Sequence, residues 1–153
     1  MKRDSRLSGV LHVLLHMAEH RDAMTSEVLA KAMDTNPVVI RRTMAGLRDR
    51  GYVRSEKGHG GGWTLACDLS KITLKDIYDA LGSPTVLAIG IHLEHPACLV
   101  ERAVNRALSP AFGEAERFLI DRLATVTLAQ LTEDFRSHAS NRHSRKRRRQ
   151  KHA

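Results

Sequence analysis

Six basic residues crowd into Pro37–Lys57: Arg41, Arg42, Arg48, Arg50, Arg54 and Lys57, against only Asp49 and Glu56. Planar guanidinium forks at this density suit two acceptors, phosphate oxygens and the guanine edge. Directly after them stands Lys57-Gly58-His59-Gly60-Gly61-Gly62. Glycines permit positive φ and put no side chain between the backbone and a phosphate or groove wall. The glycine run is not followed by Lys-Ser/Thr and a helix, so it is not a nucleotide-binding loop. The chemistry these residues offer is contact with nucleic acid.

A second set could bind metal or react. His92, Glu94, His95 and Cys98 lie close in sequence, although Pro96 interrupts them. Cys98 also reads as a thiol at a helix start, where the dipole favours thiolate and a redox role, or as a small buried hydrophobe. Cys67 is the only other cysteine, and two cysteines in a reducing compartment are expected as free thiols. His12 and His16 stand one helical turn apart, a spacing that suits a metal. They flank an apolar stripe, however, with no carboxylate or cysteine at a matching spacing. No Ser/His/Asp, paired-carboxylate or phosphate-loop arrangement has usable spacing, so an enzyme is not expected.

The elements that must position these groups follow from periodicity. Leu7, Val10, Leu11, Leu14, Leu15 and Ala18 define one face of a helix over about Arg6–Glu19. Thr25 caps a short helix, Ser26–Met33, with Glu27 in its first turn. Asn36-Pro37 starts another, running to about Arg50 and closed by Gly51; Ile40, Met44 and Leu47 face the core. Tyr52-Val53-Arg54 and Trp63-Thr64-Leu65 flank the glycine tip as strands of a hairpin. Helix, turn, helix, hairpin is the order of a winged helix-turn-helix, in which the second helix enters the major groove. Candidate DNA-binding residues are therefore Ser26, Asn36, Val38, Arg41, Arg42 and Arg48 on the helices, and Lys57, His59, Gly60 and Gly61 at the wing.

Thr73 with Asp76 reads as a capped helix start, Ile72 and Ile77 as its staple, and Gly82-Ser83-Pro84 as its end. Beyond it, Pro96–Leu108 reads as a helix with Leu99, Ala103, Val104 and Ala107 inward. Ser109-Pro110 is expected to break it. Pro110–Thr125 is then a longer amphipathic helix bearing Phe112, Ala115, Leu119, Leu123 and Val126, and Thr127–Phe135 a last short element. An amphipathic helix after a finished small domain needs a cover, and a second copy of the chain is the economical one.

Charge divides unevenly. The net charge is +8, yet residues 136–153 alone carry Arg136, Arg142, Arg145, Lys146, Arg147, Arg148, Arg149 and Lys151 with no acid. The body is neutral, with its positive charge gathered at Pro37–Lys57. The tail, expected to be disordered, reads as a phosphate-gripping arm or as a solubilising extension. A tail-driven RNA-binding protein is a rival class. No apolar run approaches the length of a membrane span, so a cytoplasmic location with no membrane partner is expected.

The chain resembles the Rrf2 family of bacterial transcription regulators. The matching pieces are Arg6-Leu7, Asn36-Pro37-Val38-Val39-Ile40-Arg41-Arg42, Leu47-Arg48-Asp49-Arg50-Gly51-Tyr52-Val53, Gly58-His59-Gly60-Gly61-Gly62-Trp63-Thr64-Leu65-Ala66, Ile72-Thr73-Leu74-Lys75-Asp76-Ile77 and Val126-Thr127-Leu128-Ala129-Gln130-Leu131. They cover about residues 5–133. The resemblance implies a homodimer with a long helix crossing to the partner and winged heads on palindromic operators. Its best-known members hold an iron–sulfur cluster on three cysteines between the fifth and sixth helices. Ile89–Leu108 here contains only Cys98, too few thiolates for that shell, and His95-Pro96-Ala97-Cys98-Leu99-Val100 looks like the cluster-free branch.

The expectation is a mainly α fold with a two-stranded wing. It divides into a winged helix-turn-helix (1–83), sensor loop and dimerisation helices (84–135) and a basic tail (136–153). The expected function is that of a homodimeric DNA-binding regulator, a repressor without cofactor that responds to thiol oxidation at Cys98. The alternative is an iron–sulfur or metal-dependent sensor using His92, His95 and Cys98.

Overall fold

The structure is a computed structural model describing residues 5–20, 22–58, 61–85 and 98–138. Its elements run α1 (Arg6–Glu19), α2 (Ser26–Ala32), α3 (Pro37–Asp49), β1 (Val53–Glu56), β2 (Gly62–Leu65), α4 (Leu74–Ala80) and α5 (Leu99–Ala124). A last helix, α6, covers 128–138. The fold is mostly helical with one two-stranded antiparallel sheet, as expected.

Local signals set the boundaries. Thr25 Oγ1 accepts from the Val28 N–H at 3.3 Å and Asn36 Oδ1 from the Val38 N–H at 2.8 Å, so both capping residues act at their helix starts. Pro37 occupies the first turn of α3, where its missing N–H costs no helical bond. Gly51 then takes φ 77°, the left-handed conformation that ends a helix. At α4, Thr73 and Asp76 complete a capping box from both sides. Thr127 and Gln130 repeat that device at α6: the Thr127 N–H donates to Gln130 Oε1 at 2.9 Å, and the Gln130 N–H to Thr127 Oγ1 at 3.2 Å.

One apolar core joins these elements. Val10, Val13, Leu14 and Met17 of α1 meet Leu29 and Ala30 of α2, Ile40, Met44 and Leu47 of α3, Val53, Trp63 and Ile77. Leu128 completes it from the far end of the chain. The strand-like start of α6 is stitched beside α4: Leu74 N–H donates to Val126 at 2.9 Å, Leu128 N–H to Ile72 at 2.8 Å and Ala129 N–H to Leu69 at 3.0 Å. Residues of the expected second segment thus help close the core of the first.

Ser109-Pro110 does not break the chain. α5 is one helix of 26 residues with Pro110 inside it. Proline removes one backbone donor, and the preceding Ser109 hydroxyl donates to the Asn105 carbonyl at 2.7 Å, within the turn that proline disturbs. The residues expected inward on this helix are not in a core either. No residue of α5 is fully buried, and Leu99 and Phe118 are 76% and 70% exposed. Val126 falls outside the helix, in the turn leading to α6. Arg136 and His138, placed by sequence in a structureless tail, belong to α6 instead; Arg136 Nε pairs with Glu19 Oε1 of α1 at 2.8 Å.

Candidate nucleic-acid interface

The phase of α3 sets the geometry. Ile40, Met44 and Leu47 are buried, so the positions about half a turn away, Val38, Arg42, Ala45 and Asp49, point outward. Val38 is 64% exposed, a large apolar side chain at the tip of a basic helix. Arg42 is exposed and makes no ion pair among the described residues. Arg41 lies to one side and pairs with Glu27 of α2 at 2.5 Å. The Glu27 carboxyl is held below its ordinary range, first by a backbone N–H and then by the Arg41 guanidinium. Arg48 turns to the neighbouring Asp49 at 3.2 Å. Of the three arginines expected on this helix, Arg42 has its guanidinium free for an outside acceptor, while Arg41 and Arg48 would have to exchange a carboxylate for one.

Asn36 spends its side-chain oxygen on the cap. Ser26 departs from the expected surface role. It is 7% exposed, and its hydroxyl accepts from Trp63 Nε1 at 3.0 Å. That is an inward-facing bond between α2 and the wing, so the Ser26 side chain serves the joint between them. Its position at a helix start suggested a surface group because the Trp63 partner, distant in sequence, was not visible.

The wing is fixed by backbone geometry. Val53 pairs with Leu65, Arg54 with Thr64, Ser55 with Trp63 and Glu56 with Gly62. Trp63 also bridges Met24 through two backbone bonds of 2.9 and 3.0 Å, which ties the hairpin to the segment before α2. That second tie explains Gly62, where a Cβ would stand 2.6 Å from the Met24 carbonyl oxygen. A Cβ on Gly61 would collide with the Glu56 carbonyl. At these two positions the run serves close backbone packing as well as open access to a ligand. Lys57 is exposed at the tip; His59 and Gly60 lie outside the described residues. Arg54 donates to Thr64 Oγ1 at 3.0 Å and pairs with Glu56 at 3.2 Å.

Tertiary structure adds a residue that sequence reading passed over. Arg6, at the start of α1, lines the same cleft of about 380 Å³ as Arg42, with Val39, Thr43, Ala80 and Leu81. Two guanidinium-bearing positions 36 residues apart in sequence thus meet beside α3.

Cys98 is exposed and occupies the N-cap position of α5. His92, Glu94 and His95 lie outside the described residues. Cys67 is half-buried after β2, and burial pushes its thiol pKa up, with Asp68 adding to this and a backbone hydrogen bond opposing it. Both cysteines are free. Among the described residues no three His, Cys, Asp or Glu side chains converge as metal ligands. With two cysteines in the whole chain, the donors do not fit a cluster held by three thiolates.

A helix-turn-helix whose second helix turns Val38 and Arg42 outward, backed by a hairpin locked to the first, defines a winged-helix DNA-binding regulator. The chain belongs to the Rrf2 family, whose description is Iron-dependent Transcriptional regulator and which matches residues 3–134. It is 29% identical over 125 residues to a Bacillus subtilis protein named as an HTH-type transcriptional regulator, YwnA, covering 82% of this chain and 92% of that one. A crystal structure of a transcriptional regulator from Lactobacillus plantarum superposes with a TM-score of 0.73 at 25% identity, over 94% of this chain and 98% of the other. T. potens IscR shares the fold, with a TM-score of 0.64 at 18% identity over 88% of each chain. The Bacillus subtilis and Lactobacillus plantarum relatives are named as regulators of transcription. Among the described residues no helix is long and apolar enough to cross a membrane.

Proposed function

We propose that the chain binds a palindromic operator in double-stranded DNA as a homodimer, represses transcription there, and is released by oxidation of Cys98. The observation that carries the reading is the outward face of α3, where Val38 and Arg42 are exposed and Arg42 makes no ion pair among the described residues. An α-helix presented this way fits the major groove, with Arg42 reaching a guanine edge and Val38 a thymine methyl. Lys57, His59, Gly60 and Gly61 then meet the phosphate backbone or minor groove. Arg6 and Arg41 add charge for phosphates, and Asn36 and Arg48 flank the contact.

The dimer reading rests on α5. Val100, Val104, Leu108 and Phe118 are exposed along a helix long enough to span a small domain. Apolar side chains in that number on one helix favour a protein cover, and a two-fold pair matches an operator with dyad symmetry. The thiol reading rests on Cys98 being exposed at the start of that same helix. A peroxide would hand one oxygen to the sulfur and leave as water, placing a polar sulfenic acid at the head of the dimer helix. The domain division that follows is a reading head over 1–83, a sensor and dimer segment over 84–135, and a basic arm beyond.

The test is to sequence genomic fragments enriched by the purified protein, with and without peroxide. Wild type should enrich an inverted repeat and lose it on oxidation; Arg42→Ala should lose enrichment, and Cys98→Ser should keep it under peroxide. Fragments without dyad symmetry, retained by Arg42→Ala but lost on deleting 139–153, would instead make the tail the binder. The family description favours one rival, a metal- or cluster-dependent sensor using His92, His95 and Cys98. A visible absorption band in anaerobically purified protein that disappears in Cys98→Ser would establish that rival.

A further inference from the structure

We propose that His12 and His16 form a two-histidine site on α1 for a divalent transition-metal ion of the Cu²⁺ or Ni²⁺ class. Their Nε2 atoms are 2.9 Å apart, with ring centroids 4.7 Å apart and the rings tilted by 40°. Two imidazole nitrogens each about 2.0–2.1 Å from one ion stand about 2.9 Å apart at a right angle and about 3.35 Å apart at the tetrahedral angle. The observed separation is the right-angle bite, the geometry of square-planar and tetragonal Cu²⁺ and Ni²⁺ rather than of tetrahedral Zn²⁺.

The scaffold is suited to hold that bite. Val10, Val13, Leu14 and Met17 anchor α1 in the core, which fixes the backbone beneath both rings. His12 is exposed, leaving the outer coordination positions open. Burial, and then the neighbouring His12 and His20, hold the His16 pKa below its ordinary value. Without an ion, one Nε2–H donates to the other Nε2. With an ion, that ring's proton moves to Nδ1 and both Nε2 lone pairs face the metal, with no net proton change. No third side chain converges on the described surface, so solvent fills the remaining positions.

The experiment titrates the full chain with Ni²⁺ alone by calorimetry and follows the thermal midpoint. The chain has nine histidines, so the comparison with variants carries the result. His12→Ala and His16→Ala should each lose one equivalent of bound Ni²⁺ and the accompanying rise in midpoint, whereas His20→Ala should keep both. Uptake unchanged in both of the first two variants would overturn the site and leave the pair as an imidazole–imidazole hydrogen bond. Should His16→Ala fail to fold, electron paramagnetic resonance of Cu²⁺ on the wild-type chain decides. A spectrum with two equatorial imidazole nitrogens that fall to one in His12→Ala supports the site, and an unchanged spectrum overturns it.

Discussion

Ser26 and Trp63 illustrate how one hydrogen bond assigns a role. Trp63 Nε1 is a donor with a single hydrogen, and in a site this buried it needs an acceptor. The Ser26 hydroxyl is that acceptor. Ser26→Ala should therefore destabilise the fold by about 1–3 kcal/mol, the cost of leaving a buried donor unsatisfied, with the loss read from the denaturant midpoint. A residue acting mainly by touching DNA would instead lower operator affinity and leave that midpoint unchanged. His16 gives a second residue-scale prediction, on pH. Its folded pKa lies below the ordinary value, so between the two the unfolded chain binds more protons. The stability it contributes is complete above the ordinary histidine value of about 6.5 and is lost as pH falls toward the folded pKa. Thermal midpoints measured down through that window should decline, and His16→Gln should flatten the decline.

At the scale of elements, α5 and the wing behave in opposite ways. The wing is over-determined: it has its own register, a bridge to Met24 and two glycines that tolerate no Cβ. α5 is held on only part of its surface and carries a proline at its middle. A proline in a helix interior costs up to about 3 kcal/mol relative to alanine, so Pro110→Ala should raise the thermal midpoint and the helical circular dichroism. If Pro110 instead sets a bend that the dimer needs, the same variant would gain helix but lose dimer, which separates the two effects. The starts of α2, α3, α4 and α6 were legible because a capping side chain and the N–H it serves lie within three residues of each other. The continuity of α5 was not: Ser-Pro is a frequent stop signal, and whether it stops a helix depends on what the following turn packs against.

For the whole molecule, the exposed face of α5 is the main unbalanced feature. Val100, Val104, Leu108, Phe118 and Leu119 leave apolar surface uncovered on a single chain, which burial at about 25 cal/mol per Å² would strongly favour covering. Phe118→Asp should place a charge in that cover and convert a dimer into a monomer in sedimentation velocity. Operator affinity should then fall steeply, because each head alone reads only a half-site. A mass unchanged by the substitution would place the cover elsewhere. The far end of the chain is also joined to its start: Leu128 of α6 sits in the core with α1 to α3, and Arg136 of α6 pairs with Glu19 of α1. Because α6 follows α5 directly in the chain, a shift of α5 has a direct route to α1.

The sequence by itself determined the class of this protein and most of its local architecture. Periodicity, caps and turn glycines act over a few residues, so α1 through α4, the wing and the basic face of α3 could be read directly. It also bounded the cofactor question, since two cysteines cannot supply three thiolates. Tertiary structure decided what those side chains face. It turned Ser26 inward to Trp63, drew Arg41 to Glu27 and left Arg42 without an ion pair among the described residues. It set Arg6 beside the reading helix, carried α5 through Pro110, and brought Leu128 back into the first core. Each of those outcomes depends on a partner far away in the chain, or on how much room a neighbouring element leaves, and no local pattern encodes either.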